Sequence, residues 1–367
     1  MKLIFFLVAF CLLSIRVYFS WIGKERQSRG ESSASMEISS DHFIEQIKYL
    51  GKFAITADEK DFKSISPGGY LKFRLNDEKL KAESNLQGQI EYSIYDGENN
   101  VSSDSEAGKK LIARAIHEML AWGFDADARM NRIYQQGGSK ALLAEIDSMR
   151  TDPVKMLYID RLFSIDSLSS EDQLTLVNKI GRLGADMDKI NCLKKLKAGQ
   201  LKNPQIDSAY FSIAARMGAD MDKVNTLQPV LDRDSLSEND ILSILEIGGK
   251  LGADMDKSNL LGKLIDKGLI SGALFDTVVR IASQMGADMD KTNMYKKLMQ
   301  QGTITDSQWT TLISKATYLG ADMDKANLLT EIAQKMPRTE MLKAAYLAAA
   351  KSINDNSEYG KAVRAVE

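Results

Sequence analysis

Ten acids at fixed spacing are the residues of this sequence best suited to chemistry. They stand as pairs: Asp186/Asp188, Asp220/Asp222, Asp254/Asp256, Asp288/Asp290 and Asp322/Asp324. Each pair runs straight into a lysine, and an asparagine follows two residues later. Carboxylates two residues apart could contribute to a calcium loop. Such a loop needs about six to eight oxygens, a glycine at its sharp turn and a late bidentate acid. Here Met187 and Lys189 interleave the acids, and the segment leads directly into a helix, so a calcium-stabilised array is an alternative and not the leading expectation. A second possibility is recognition. The columns Asp188/Lys189, Asp222/Lys223, Asp256/Lys257, Asp290/Lys291 and Asp324/Lys325, stacked along an array, would form one charged stripe for a protein or peptide. The third is structural. Asp186, Asp220, Asp254, Asp288 and Asp322 are placed to cap a helix N-terminus, and the second acid of each pair meets the helix dipole. Lys189 would then pair with an acid of the next unit, and Asn191, Asn225, Asn259, Asn293 and Asn327 would bridge backbone groups between units. The methionine column from Met187 to Met323 reads as packing between units.

No other constellation competes. There is no Gly-x-Ser-x-Gly, no His-Glu-x-x-His and no phosphate loop. Only His42 and His117 supply imidazole, and Glu118 is not followed by a second histidine at zinc-protease spacing. Of two cysteines, Cys11 lies in an N-terminal apolar run. Cys192 aligns with Thr226, Leu260, Met294 and Leu328, as a packed thiol would. No catalytic, cofactor-binding or metal-binding residue is assigned, and no cofactor is expected. An enzyme would need convergent acids in a pocket away from the repeated motif.

The elements that position the acids follow from the period. Gly-Ala-Asp-Met-Asp-Lys-x-Asn begins at Gly184, Gly218, Gly252, Gly286 and Gly320, every 34 residues. A fixed interval of this length marks stacked two-helix units. Ser169, Asn203, Ser237, Ser271 and Thr305 stand where helix A should be capped, and the glycine should end it as a left-handed C′ residue. Apolar columns at Leu176/Tyr210/Ile244/Val278/Leu312 and Val177/Phe211/Leu245/Val279/Ile313 give helix A its buried stripe. Leu193/Leu227/Leu261/Tyr295/Leu329 does the same for helix B. The class is α+β, mainly α: a small antiparallel β module and then an α-solenoid.

Domain boundaries are set at 1–22 for a signal peptide or membrane anchor, 23–37 for a linker and 38–100 for the β module. Degenerate helical repeats follow at 107–168, five regular repeats at 169–338 and a capping repeat at 339–367. Met1-Lys2 and the apolar run 3–15 have the make-up of an export signal or anchor. Strands are expected at 52–56, 62–66, 70–76, 79–84 and 89–95 as a five-stranded meander, with 41–50 a short helix or strand leading in and helix 107–122 covering the sheet. The net charge is −2, and residues 1–30 carry +4 of it, so a processed form would be at −6. That balance argues against nucleic acid as a partner.

The run Asp61-Phe62-Lys63-Ser64-Ile65-Ser66-Pro67-Gly68-Gly69-Tyr70-Leu71 resembles a segment of uncharacterised bacterial envelope proteins, in which a small β module precedes helical repeats. The stretch from Gly123 to Gly138, with Asp127-Ala128-Arg129-Met130, looks like the first helical junction of that family. The family's Ser-Asp-Tyr-Glu-Lys resembles Ala-Asp-Met-Asp-Lys here, with methionine replacing the aromatic. Similar modules sit beside membrane metallopeptidases of the antirepressor type, whose protease motif this chain lacks. The apolar N-terminal run leads to a location in the bacterial cell envelope, exported to the periplasm or anchored, with membrane association through the N-terminus alone, and the resemblance to envelope proteins implies the same compartment. The sequence thus leads to a non-enzymatic scaffold that binds another protein. The alternative is an accessory sensor of a membrane peptidase or signalling complex.

Overall fold

The structure, a computed structural model, describes residues 16–19, 32–40, 43–165, 168–196, 201 and 203–367. His42 and Cys11 lie outside these. The chain divides into two units, 1–158 and 159–367.

The first unit is built on an antiparallel sheet. Its strands are β1 (Arg16–Phe19), β2 (Ser32–Ser40), β3 (Phe43–Gly51), β6 (Tyr70–Leu75), β7 (Glu78–Ser84), β8 (Ile90–Asp96) and β9 (Asn99–Asn100), in the order β1-β2-β3-β6-β7-β8-β9. The five expected strands all form, but not as one meander. β4 (Phe53–Ile55) and β5 (Phe62–Ile65) pair with each other as a separate two-stranded sheet, and β3 reaches past them to β6. Gly51, at φ 120°, turns the chain out of β3 in a conformation that side chains other than hydrogen disfavour. The sheet also begins earlier than the sequence suggested. Residues 32–37, expected as linker, belong to β2, and Arg16–Phe19, expected within the leader or anchor, pairs with residues 36–39. Among the described residues no helix is long and apolar enough to cross a membrane.

Alternation puts Ile47, Tyr49, Leu71, Phe73, Leu80, Ala82 and Ile94 on one face. Helix α1 (Glu106–Ala121) covers that face with Leu111, Ile112, Ala115, Ile116 and Met119. Ser105 caps α1 by accepting from the Gly108 N–H. Two further helices, α2 (Ala126–Glu145) and α3 (Asp152–Phe163), occupy the region of degenerate repeats.

Among the described residues of the second unit six A helices alternate with six B helices. The A helices are α4 (Ser170–Ile180), α6 (Pro204–Ala215), α8 (Glu238–Lys250), α10 (Ala273–Ala282), α12 (Asp306–Ala316) and α14 (Glu340–Ala350). The B helices are α5 (Asp186–Leu193), α7 (Asp220–Leu231), α9 (Asp254–Asp266), α11 (Asp288–Leu298), α13 (Asp322–Lys335) and α15 (Asn356–Val366). Each A helix packs on the A helices before and after it, and each B helix on its B neighbours, which is the contact pattern of a solenoid. The apolar columns read from the sequence are the core: Leu176, Tyr210, Ile244, Val278 and Leu312 are all buried, as are Leu193, Leu227, Leu261, Tyr295 and Leu329. The small column Ala214, Gly248, Ala282 and Ala316 is buried between them, where small residues let helices approach.

Helix A caps match expectation at Ser169, Asn203, Ser237 and Thr305, the last two as full capping boxes, and Thr339 extends the series. Ser271 does not cap. The neighbouring Gly272 takes φ 53° and α10 starts only at Ala273. The corner glycines depart from the sequence reading as well. None of the five has positive φ, so they are not left-handed C′ residues.

Candidate functional site

The repeated motif forms the corner between helices A and B, and its first acid does something other than cap. The N-cap of the B helix in each of the five regular repeats is an alanine in extended conformation, Ala185, Ala219, Ala253, Ala287 or Ala321, with no side-chain cap, whereas Asp355 caps α15 by accepting from the Glu358 N–H at 2.9 Å. The aspartate expected to cap is the first helical residue, and one of its carboxylate oxygens reaches the next corner. One oxygen of Asp186 accepts from the backbone N–H of Gly218 at 2.8 Å, one repeat downstream. Asp220 accepts from Gly252 (2.6 Å) and Ala253 (3.1 Å), and Asp254 from Gly286 (2.7 Å) and Ala287 (3.1 Å). Asp288 accepts from Gly320 at 2.5 Å, and Asp322 from Asn354 and Asp355, both at 2.9 Å. The physical reason is supply: each corner presents backbone N–H groups that the preceding repeat alone can reach with an acceptor. Asn354 stands in the glycine's place and keeps the bond, so the contact does not itself demand glycine.

The second oxygen of each aspartate meets the lysine three residues on. Lys189, Lys223, Lys291 and Lys325 lie 2.8, 3.0, 2.9 and 3.1 Å from Asp186, Asp220, Asp288 and Asp322, and Lys257 4.0 Å from Asp254. The lysines therefore pair with the acid of their own turn, and Lys325 additionally donates to the Ser352 carbonyl of the next unit at 3.0 Å. Lys155 and Asp152 repeat the pair upstream at 3.1 Å. The salt bridge to Lys189 and the backbone N–H of Gly218 hold the Asp186 carboxyl below the ordinary carboxylate range. For Asp220 the leading cause is the N–H of Ala253, followed by Lys223.

These contacts rearrange the stripe expected from the sequence. Its lysines are drawn in, with side chains only 7–17 % exposed. Its acids, Asp188, Asp222, Asp256, Asp290 and Asp324, remain half-exposed, and none makes an ion pair among the described residues. Between the two acids stands the methionine, and here the packing expectation fails. Met187, Met221, Met255, Met289 and Met323 are 59, 64, 71, 67 and 58 % exposed. Asn191, Asn225, Asn259 and Asn293 are exposed and do not bridge units, while Asn327 accepts from Lys361 at 2.6 Å. The signal that could have found this was positional. A residue at the second position of helix B falls off the stripe defined by Leu193 and Leu196.

For calcium, the arrangement leaves one free carboxylate per repeat, because the first acid gives both oxygens to lysine and backbone. Among the described residues no three His, Cys, Asp or Glu side chains converge as metal ligands.

Three clusters were not read from the sequence. At the opposite end of the repeats, α6 and α8 flank a cleft of ≈ 1050 Å³ whose lining includes Leu201, Asp207, Phe211, Arg233, Asp240 and Glu246. Arg233 pairs with Asp207 at 3.2 Å and Asp240 at 3.5 Å. Asp207 and Asp240 share a hydrogen bond, and burial with the neighbouring Asp240 pushes the Asp207 carboxyl up to about 6. Asp240 also accepts from the Ser237 N–H at 2.9 Å, completing the capping box of α8. These are convergent acids away from the corners, but arginine and helix terminus already engage them.

In the first unit Arg129 is buried and binds Glu59 through Nε (3.0 Å), Glu145 (2.9 Å) and the Tyr158 hydroxyl (3.1 Å). Also there, Arg150 grips Glu118 through two nitrogens at 2.8 and 2.6 Å and lies 3.7 Å from the buried Glu45. Burial, then the charge of Glu118, pushes the Glu45 carboxyl up to about 7. Cys192 is buried, and that burial pushes its thiol up to about 11, as for a packed residue. His117 lies exposed on α1.

Comparison with protein-family models gives no match, and comparison with curated proteins gives none either.

Proposed function

We propose that the protein is a non-enzymatic, envelope-associated scaffold whose helical array binds another protein. One observation carries the binding part. Five successive corners present the same exposed surface, a methionine beside an unpaired aspartate, while the residues that hold the corners together are turned inward. Large apolar side chains lined up on a surface mark interaction sites more often than chance scatter does. The envelope part rests on the sequence alone, on Met1-Lys2 and the apolar run 3–15 and on the resemblance carried by residues 61–71. Against an enzyme stands the engagement of the acids in the α6/α8 cleft: Asp207 and Asp240 are tied to Arg233, and Asp240 to the start of its own helix.

The test is cell fractionation followed by crosslinking of the full chain. The expected outcome is recovery with the envelope and a crosslinked protein partner attached to residues 169–338. Recovery of the whole population from the cytosol without a crosslinked partner would overturn the reading.

A further inference from the structure

The exposed methionines are the large apolar residues of the repeated motif, and they take no part in the contacts that hold the corners. The first aspartate and the lysine make the corner contacts, and Ala185 and its equivalents start the helix. The thioether of each repeat stands 58–71 % in solvent. Neighbouring B helices pack side by side, and packed helix axes lie about 8–10 Å apart. The five methionines therefore form a row with a step of about one helix diameter. Methionine on a surface suits apolar contact with partners of variable shape, since its chain is unbranched and its sulfur polarizable.

Charge selects among occupants. Each step of the row carries one unpaired carboxylate, Asp188, Asp222, Asp256, Asp290 or Asp324. A second copy pairing row to row would set these acids against each other. An anionic lipid surface and a nucleic acid would be repelled in the same way. What fits is a segment with one apolar face and a lysine- or arginine-rich flank, docked as an amphipathic helix. The row is also graded. Two residues before the corner glycine stand Arg182, Arg216 and Lys250 in the first three corners, and Gln284 and Tyr318 in the last two. Tyr318 is itself 76 % exposed. The last two corners thus lack a basic residue at that position, and the last adds the ring of Tyr318, with Lys315 Nζ 5.7 Å from its centroid.

We propose that the methionine row is a docking surface for a basic amphipathic helix of a partner protein, with its strongest contacts at Met289 and Met323. This rests on the scaffold reading above and names the surface and the chemistry of the partner.

Two synthetic peptides serve as probes on the full chain: a leucine/lysine amphipathic helix and its leucine/glutamate counterpart, followed by fluorescence anisotropy. The expected result is saturable binding of the lysine peptide and at least about tenfold weaker binding of the glutamate peptide. Replacing all five methionines (M187Q, M221Q, M255Q, M289Q, M323Q) preserves the charge and should weaken the lysine peptide about tenfold or more with an unchanged melting temperature. The pair M289Q/M323Q should lose more than M187Q/M221Q. Equal affinity in the five-methionine variant, or equal binding of both peptides, overturns the proposal, because attraction would then be charge alone or unspecific. Binding of the full chain to anionic vesicles that the five glutamines abolish would overturn it in favour of a lipid surface. A crosslinked partner that survives the five substitutions leaves the scaffold in place and removes this surface from it.

Discussion

The two ends of the repeat unit obey opposite rules. At the A-to-B corner five copies keep the same residues, and the same carboxylate ties each repeat to the next through backbone N–H groups 32 or 33 residues ahead. At the B-to-A end the copies diverge. Asn203-Pro204 starts one helix, Gly272 starts another late, and between α6 and α8 a half-buried arginine, Arg233, sits between two acids, an arrangement no other B-to-A end repeats among the described residues. The lesson lies in what repetition preserves. Backbone geometry recurs at every corner, so one acceptor solves the same problem five times, whereas the far end is set by local side-chain packing. A large apolar side chain repeated at every corner yet left in solvent is then the feature to be explained by function.

Removing a corner carboxylate should have the largest effect. Asp220→Ala leaves the N–H groups of Gly252 and Ala253 to water and Lys223 without its partner, at a cost of about 1–2 kcal/mol in urea unfolding. A cost under about 0.3 kcal/mol would mean that the corners hold without their acids. The same contacts set the acid limit of the array. Asp186, Asp220 and Asp288 have depressed folded values, so their contribution is complete above the unfolded carboxylate range and is lost as pH falls through the folded values. Asp220→Ala should therefore flatten the decline in stability below about pH 4.

The far end should respond with the opposite sign. Asp207 is raised to about 6, so the stability of its protonated form is fully present below its unfolded value and is lost as pH rises through 6. Asp207→Asn should match the natural chain at pH 4 and exceed it by about 1 kcal/mol at pH 7, a figure reduced for its partial exposure. The smallest effect is expected for Met255→Gln: within about 0.5 kcal/mol at any pH, because the side chain is 71 % exposed. A larger loss would show that the methionine packs after all and would erase the distinction between the corner's structure and its surface.

How much of this was legible in advance follows from the range of each interaction. The 34-residue period gave the helix pairs, the buried columns and four of five A-helix caps, because all depend on neighbours within a turn or on the stacking repeat itself. Ser271 failed because the adjoining Gly272 adopts a left-handed backbone that moves the helix start. The corner aspartates looked like caps because capping is the local use of an aspartate before a helix; their acceptors' true partners lie a repeat away, invisible to local spacing. The split of β4 and β5 from the main sheet is non-local in the same sense: β3 pairs with β6 across 18 intervening residues. Arg129 and Arg150 were missed because their carboxylates, Glu59 and Glu118, are distant in sequence.

Peroxide footprinting of the purified full chain, read by peptide mass spectrometry, tests most directly whether the methionine row is free surface. Oxidation follows exposure, and Met217 and Met285, both buried, supply internal references in the same repeats. The account requires Met187, Met221, Met255, Met289 and Met323 to reach the sulfoxide about tenfold faster or more than Met217 and Met285, while the array stays folded. Oxidation of all seven at one rate, or only as the chain unfolds, would contradict it.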